Sequence, residues 1–174
     1  LGTVFHEWMH SWYQMMLGVN ESLYPWMDEG FTSYADDLVM KYYLGKSSLQ
    51  IYRDTLAVNP NKKGLKDLID MMPEDHSGSY ASYFSLVRSG LEEPMTTHAD
   101  HYDHNFAYSV AAYSKGEILL EQLGYIIGAD VRDKILLNFY DTWKFKHPNG
   151  NDFFKIAQDV SGLQLDWYKM YWVN

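Results

Sequence analysis

The sequence predicts a mainly α chain folded as one helical domain over residues 1–174. Three observations carry this. Apolar residues recur at three- and four-residue steps in several stretches, the spacing that lines one face of a helix. Capping residues, proline and glycine punctuate those stretches where helices start and stop. No segment alternates with the period of two that a half-buried strand requires, and the chain holds no internal repeat or low-complexity tract.

The elements follow in order. A first helix carries His6-Glu7-Trp8-Met9-His10 and is already under way near Leu1. Tyr24-Pro25 starts a second, with proline in the first turn, and Phe31, Tyr34, Leu38 and Tyr42 form its apolar face. Gly45 closes it, and Ser47-Ser48 opens a third that ends before Asn59-Pro60. Residues 61–78 are polar and glycine-containing, with a short apolar patch at Leu65, Leu68 and Ile69. A helix over 79–89 stops at Gly90, and a loop runs on towards residue 105. A long helix then carries Tyr113, Ile118, Leu119 and Leu123. Asp130 caps the next, whose apolar side is Val131, Ile135, Leu136, Phe139 and Trp143. His147-Pro148-Asn149-Gly150 is a turn, and two short helices, 152–161 and 165–172, are split by Gly162.

Composition bounds the function. At 174 residues, 47% hydrophobic and 17% aromatic, the chain can bury a core. A net charge of −9 argues against a nucleic-acid partner, which needs a basic face. Cysteine is absent, so no disulfide framework exists and the compartment is left open. No run approaches the eighteen or more apolar residues of a membrane span, and no signal-peptide pattern is visible.

The chemistry-bearing residues begin with His6 and His10. Positions i and i+4 share a helix face, so both rings can turn a nitrogen to one metal ion. Glu7 lies between them and is placed to handle a proton rather than to bind the metal. The alternative is a solvated face of two histidines and a glutamate. Glu29 tips the balance. A hydrolytic zinc site needs three protein ligands and an open position. Eighteen residues separate His10 from Glu29, enough to finish one helix, cross a loop and enter another. Against this stands Glu29 as an ordinary exposed carboxylate.

With these residues in hand, the chain resembles the zinc aminopeptidase family of gluzincins, the aminopeptidase N type. Residues 26–34, WMDEGFTSY, are similar to that family's pattern around its third ligand, and Tyr113-Ser114-Lys115-Gly116 matches its Y-x-K-G stretch. A looser match covers Asp152-Phe153-Phe154 and Ser161-Gly162-Leu163-Gln164-Leu165-Asp166-Trp167 through Trp172. Nothing between about residues 46 and 105 aligns.

The resemblance implies the helical lobe of a thermolysin-like metallopeptidase domain, with one zinc ion on His6, His10 and Glu29. It implies Glu7 as general base for a zinc-activated water, and the hydroxyl of Tyr113 as the group that stabilises the oxyanion. Outside that context Tyr113 is one of fifteen tyrosines. Asp36, two turns beyond Glu29 on the same face, is the candidate to orient a ligand histidine; a solvated aspartate is the competing reading, and Asp28 and Asp37 are weaker candidates. His98, His101 and His104 alternate with acids in a polar loop expected over the site, with a second metal site as the alternative. His76 and His147 read as lone loop histidines.

The family also carries a β-rich region and a G-x-M-E-N stretch before HExxH, so the chain is expected to be a piece of a larger catalytic domain. The implied activity is removal of single residues from peptide amino termini, with peptide as substrate and the rest of the parent chain as partner. Two alternatives stay open: a zinc-binding but inactive or non-catalytic domain, and a zinc endopeptidase.

Overall fold

The computed structural model describes residues 1–57 and 71–174. Nine α-helices run through them: α1 (Gly2–Met9), α2 (Phe31–Leu44), α3 (Ser48–Ala57), α4 (Ser77–Ser89), α5 (Asn105–Ser109), α6 (Gly116–Ile127), α7 (Ala129–Trp143), α8 (Gly150–Ser161) and α9 (Asp166–Trp172). Two π-helical turns interrupt the pattern. Trp26–Gly30 leads into α2, and Val110–Lys115 joins α5 to α6. Among the described residues the only β pairings are isolated bridges, Tyr13 with Leu17 and Leu17 with Lys146. This is the mainly α lobe that the sequence predicts. The apolar patch at Leu65, Leu68 and Ile69 and the stop at Asn59-Pro60 lie outside the described residues.

The core gathers where α2, α6, α7 and α8 meet. Phe31 and Phe153 rings lie 4.9 Å apart, edge to face, and Phe139 sits 5.4 Å from Phe153. Trp26, Leu119, Leu120, Leu123 and Ile135 close around them, all fully buried. Burial of each such side chain stabilises the fold by roughly 1.5–3 kcal/mol before entropy is counted. Tyr168 of α9 buries its ring here and donates its hydroxyl to the Leu119 carbonyl at 2.6 Å, so its polar end is satisfied inside the core.

Helix ends follow their local chemistry. Gly45, Gly90 and Gly162 stop α2, α4 and α8 at positive φ, a backbone conformation that strains any residue with a Cβ. Asn149 accepts from the amides of Asn151 and Asp152, while Asp152 accepts from the Asn149 amide at 2.9 Å, a complete capping box for α8. Asp130 does not cap α7: Gly128, at φ 93°, occupies the cap. Asp130 sits in the first turn, where its charge still complements the helix dipole.

The stripe on α2 is buried only at its start. Phe31 and Tyr34 are enclosed, but Leu38 is 42% and Tyr42 92% exposed. At ~1.5 Å per residue, Tyr42 lies roughly 16 Å from Phe31, beyond the reach of the core. A close backbone approach at the N-terminal end of α2 positions the site. An added Cβ on Gly30 would stand 2.6 Å from the Cα of Gly116, and one on Gly116 would stand 2.8 Å from the Trp26 carbonyl oxygen. The two π turns therefore cross backbone to backbone.

Candidate active site

That crossing brings Glu29, next to Gly30, beside Tyr113, three residues before Gly116. α1 packs along α2 and delivers the two histidines. His6 Nε2 lies 3.1 Å and His10 Nε2 3.3 Å from the same atom, Glu29 Oε2. His10 sits at the C-cap of α1, just past Met9, with helical φ and ψ, so the i, i+4 relation survives the helix end.

The far side of each ring is held. His6 Nδ1 donates to Asp36 Oδ2 at 2.8 Å. His10 Nδ1 has Asp28 Oδ1 at 2.9 Å, the Thr32 hydroxyl at 3.2 Å and the Tyr13 carbonyl at 3.3 Å. The Asp28 contact is close but poorly aligned, since Asp28 Oδ1 has no hydrogen bond of good geometry; its value is electrostatic. With a proton on each Nδ1, both Nε2 lone pairs point at a carboxylate oxygen. Three electron-rich atoms then converge on one point, which a proton or a metal cation must occupy.

The donor set fits zinc. His₂Glu with an open position is a hydrolytic zinc arrangement, and donors of a tetrahedral zinc ion at 2.0–2.1 Å stand about 3.3 Å apart. The separations of 3.1 and 3.3 Å are close to that. Hydrogen bonds to Asp36 and then Glu29 raise the His6 imidazole to about 10, against the effect of burial, so protons and a metal compete for this ring. Burial pushes the Glu29 carboxyl up, but hydrogen bonds from His6 and Tyr113 hold it below its usual range. Burial pushes Asp28 up to about 7, with His10 opposing.

Tyr113 stacks on His6, ring centroids 5.8 Å apart, and hydrogen-bonds Glu29. Burial and that bond push its phenol well above the ordinary value, so it is a proton donor at neutral pH. Glu7 is exposed on α1, and its carboxylate is committed to no ion pair among the described residues. The structure thus brings together His6, His10, Glu29, Asp36 and Tyr113.

Other expectations fare differently. His98 and His101 rings approach to 4.9 Å, but among the described residues His98, His101 and His104 do not converge as a metal-binding group. Their loop is tied down by Ala99, whose amide donates to the Ser22 carbonyl at 2.9 Å. His76 is not a solvated loop histidine: it is 2% exposed, held between Glu117 and Asp37. Its partners lie 41 and 39 residues away in sequence, where no local pattern points to them. Asp28 and Thr32, the contacts of His10, sit inside and just after the WMDEG stretch, and their spacing alone did not rank them above Asp36.

Comparison with known proteins places the family and the fold. A model of the peptidase family M1 domain matches residues 1–172. A leukotriene A-4 hydrolase homolog of Botryotinia fuckeliana is 27% identical over 150 residues, 86% of this chain and 20% of that protein. Leucine aminopeptidase 2 of Sclerotinia sclerotiorum is 25% identical, over 86% of this chain and 22% of that one. The fold superposes on an M1 zinc metallopeptidase from Deinococcus radiodurans with a TM-score of 0.67 at 16% identity, covering 99% of this chain and 32% of that one. The chain thus spans about a fifth of the length of the curated relatives it matches.

Proposed function

The chain belongs to peptidase family M1, and from that premise we propose that it forms the metal-bearing helical lobe of a zinc-dependent aminopeptidase. The observation that carries the reading is the convergence of His6 Nε2, His10 Nε2 and Glu29 Oε2 within 3.1–3.3 Å contacts, with Tyr113 beside them. His6, His10 and Glu29 would hold the ion. When bound, zinc supplies Lewis-acid polarisation of the scissile carbonyl and of the attacking water.

The remaining steps belong to side chains. Asp36 holds the proton of His6 on Nδ1, which keeps the Nε2 lone pair turned inward. Glu7 takes the proton of the attacking water on its carboxylate and hands it to the leaving amine. The Tyr113 hydroxyl donates to the oxygen that becomes negative in the transition state, and its raised pKa keeps that proton in place. Since the chain spans only part of its relatives, the reading places it in a larger catalytic domain. It assigns selection of a free amino terminus to the remainder of that parent protein, and the substrate is a peptide.

The test uses the parent protein: zinc content and cleavage of aminoacyl chromogenic substrates, for the wild type, Glu7→Gln and Tyr113→Phe. The expected result is one zinc per chain throughout, with turnover lost in Glu7→Gln and lowered roughly 10²–10³-fold in Tyr113→Phe. Bound zinc without turnover in the wild type would leave a metal-binding domain only. Internal cleavage of amino-blocked peptides would make it an endopeptidase.

A further inference from the structure

A second His-carboxylate cluster lies behind the first. His76, the residue that caps α4, is almost fully buried, and its Nδ1 stands 2.6 Å from Glu117 Oε1 of α6 and 3.0 Å from Asp37 Oδ2 of α2. Its backbone amide also donates to Asp37 Oδ2 at 3.1 Å. Its Nε2 faces Glu121 Oε2 at 3.6 Å, and Arg132 pairs with the same Glu121 at 3.1 Å. Tyr34 stacks on the imidazole, centroids 4.9 Å apart, and Ser79 donates to Glu117 Oε2 at 2.6 Å. The residue pays for this with a left-handed backbone at φ 57°, which a histidine adopts only when its surroundings fix it.

Zinc donors would stand about 3.3 Å apart; here the imidazole nitrogen meets its carboxylates at 2.6 and 3.0 Å. The Glu117 contact is a charge-assisted hydrogen bond and the Asp37 contact an ion pair; Asp37, His76 and Glu117 are also grouped as metal donors could be, and in this structure a proton closes the clasp. What it joins is informative. Asp37 adjoins Asp36, which holds His6. Glu117 lies four residues, about one turn, beyond Tyr113 on the same continuous helical run. A cavity of about 340 Å³, lined by Asp36, Asp37, His76, Ser114 and Glu117 among others, opens beside the clasp. On this side polar contacts through His76 link the two helices.

We infer that His76 is a positioning residue: by tying Asp37 of α2 to Glu117 of α6, it sets the hydroxyl of Tyr113 against the Glu29–histidine cluster. The inference rests on the reading of Tyr113 as the oxyanion donor. His76 touches neither metal ligand nor substrate and acts through the rotation of the turn that carries Tyr113. A displacement of an ångström at a reacting group costs on the order of 10²-fold in rate.

The experiment is a double-mutant cycle in the parent protein, with His76→Gln, Tyr113→Phe and the pair, read as kcat and KM on an aminoacyl chromogenic substrate together with zinc content. His76→Gln is expected to lower kcat roughly 10- to 100-fold, to leave KM in place and to keep one zinc per chain. In the Tyr113→Phe background it is expected to cost nothing further, since the group it positions is gone. Losses that multiply, an unchanged kcat, or a second zinc equivalent that disappears with His76 would each overturn the inference. If His76→Gln does not fold, Glu117→Gln and Asp37→Asn, which keep hydrogen-bond acceptors, are carried through the same cycle and decided by the same criterion. A wild-type parent with no turnover overturns the catalytic reading and this one with it; a working parent with multiplying losses overturns this one alone.

Discussion

Asp36 Oδ2 lies 2.8 Å from His6 Nδ1, while the opposite nitrogen of the same ring faces Glu29 Oε2 at 3.1 Å. The imidazole is thus held as a rod between two carboxylates, one that fixes its tautomer and one that shares its cation. Asp36→Asn keeps the volume but loses the charge, and Asp36→Ala loses both. Zinc affinity is expected to fall roughly 10- to 100-fold in the alanine variant, with the asparagine variant between. Competition against a chelator checks this; unchanged affinity in both would mean that the contact orients nothing.

Tyr113→Phe removes one hydroxyl and leaves the ring stacked on His6. The expected loss is 10²–10³ in kcat, roughly 3–4 kcal/mol of transition-state stabilisation, with zinc stoichiometry unchanged. Parallel metal analysis and steady-state kinetics on the parent protein separate loss of the donor from loss of the metal.

How far the sequence alone reached can be read from these two residues. His6 and His10 were legible because helix periodicity maps spacing directly onto a face. Glu29 was legible from its distance to His10 and the want of a third ligand, but Tyr113 only through the motif around it, since no periodicity says that two turns distant in sequence cross. The glycines that permit that crossing, Gly30 and Gly116, sit within those motifs, yet their role shows only in the backbone separation. His76 was misjudged because its partners come from two other helices. Leu38 and Tyr42 were misjudged because a periodic stripe shows which face is apolar but not how far the core extends along it.

Gly30→Ala places a Cβ against backbone atoms of Gly116 at 2.6–2.7 Å and the Ala112 carbonyl oxygen at 2.9 Å. None of these is a flexible side-chain end, so the helices must separate. Overpacking of this kind costs typically 1–3 kcal/mol or more. Thermal unfolding is expected to show a lower Tm, and zinc affinity should fall with it because Glu29 adjoins the displaced turn. A Tm equal to wild type would show that the two turns can part freely.

His76 gives a pH dependence whose sign is fixed. Burial lowers its pKa, but Asp37 and Glu117 outweigh that and raise it to about 10 from 6.5. The folded state therefore binds this proton more tightly than the unfolded chain. Its contribution to stability is complete below about pH 6.5 and is lost as pH rises through about 10. Glu117, itself raised by burial, and Glu121 face the same ring and share in the effect. Denaturant unfolding of the wild type and His76→Gln across pH 6–10 should show the gap between them closing as pH rises; a constant gap would mean that the imidazole is neutral in the fold.

Phe153 sits at the hub of the core, in ring contact with Phe31, Phe139 and Phe154. Phe153→Ala is expected to destabilise the lobe by about 3–5 kcal/mol. Denaturant titration reads this directly, and the change should exceed that of Leu38→Ala, whose side chain is already half in solvent.

The two π turns make chain length itself a functional parameter. Each behaves as a helix with one residue more than its turn needs, and one residue of α-helix is ~100° of rotation. Deleting Gly30, the one residue of Trp26–Gly30 that lies between Glu29 and Asp36, would shorten their seven-residue spacing by one and swing Asp36 out of phase with Glu29. Deleting Ser114 or Lys115 would likewise change the phase between Tyr113 and Glu117. Substitutions on the outer faces of these helices can accumulate with little effect, whereas one-codon insertions or deletions between Glu29 and Asp36, or between Tyr113 and Glu117, should not be tolerated.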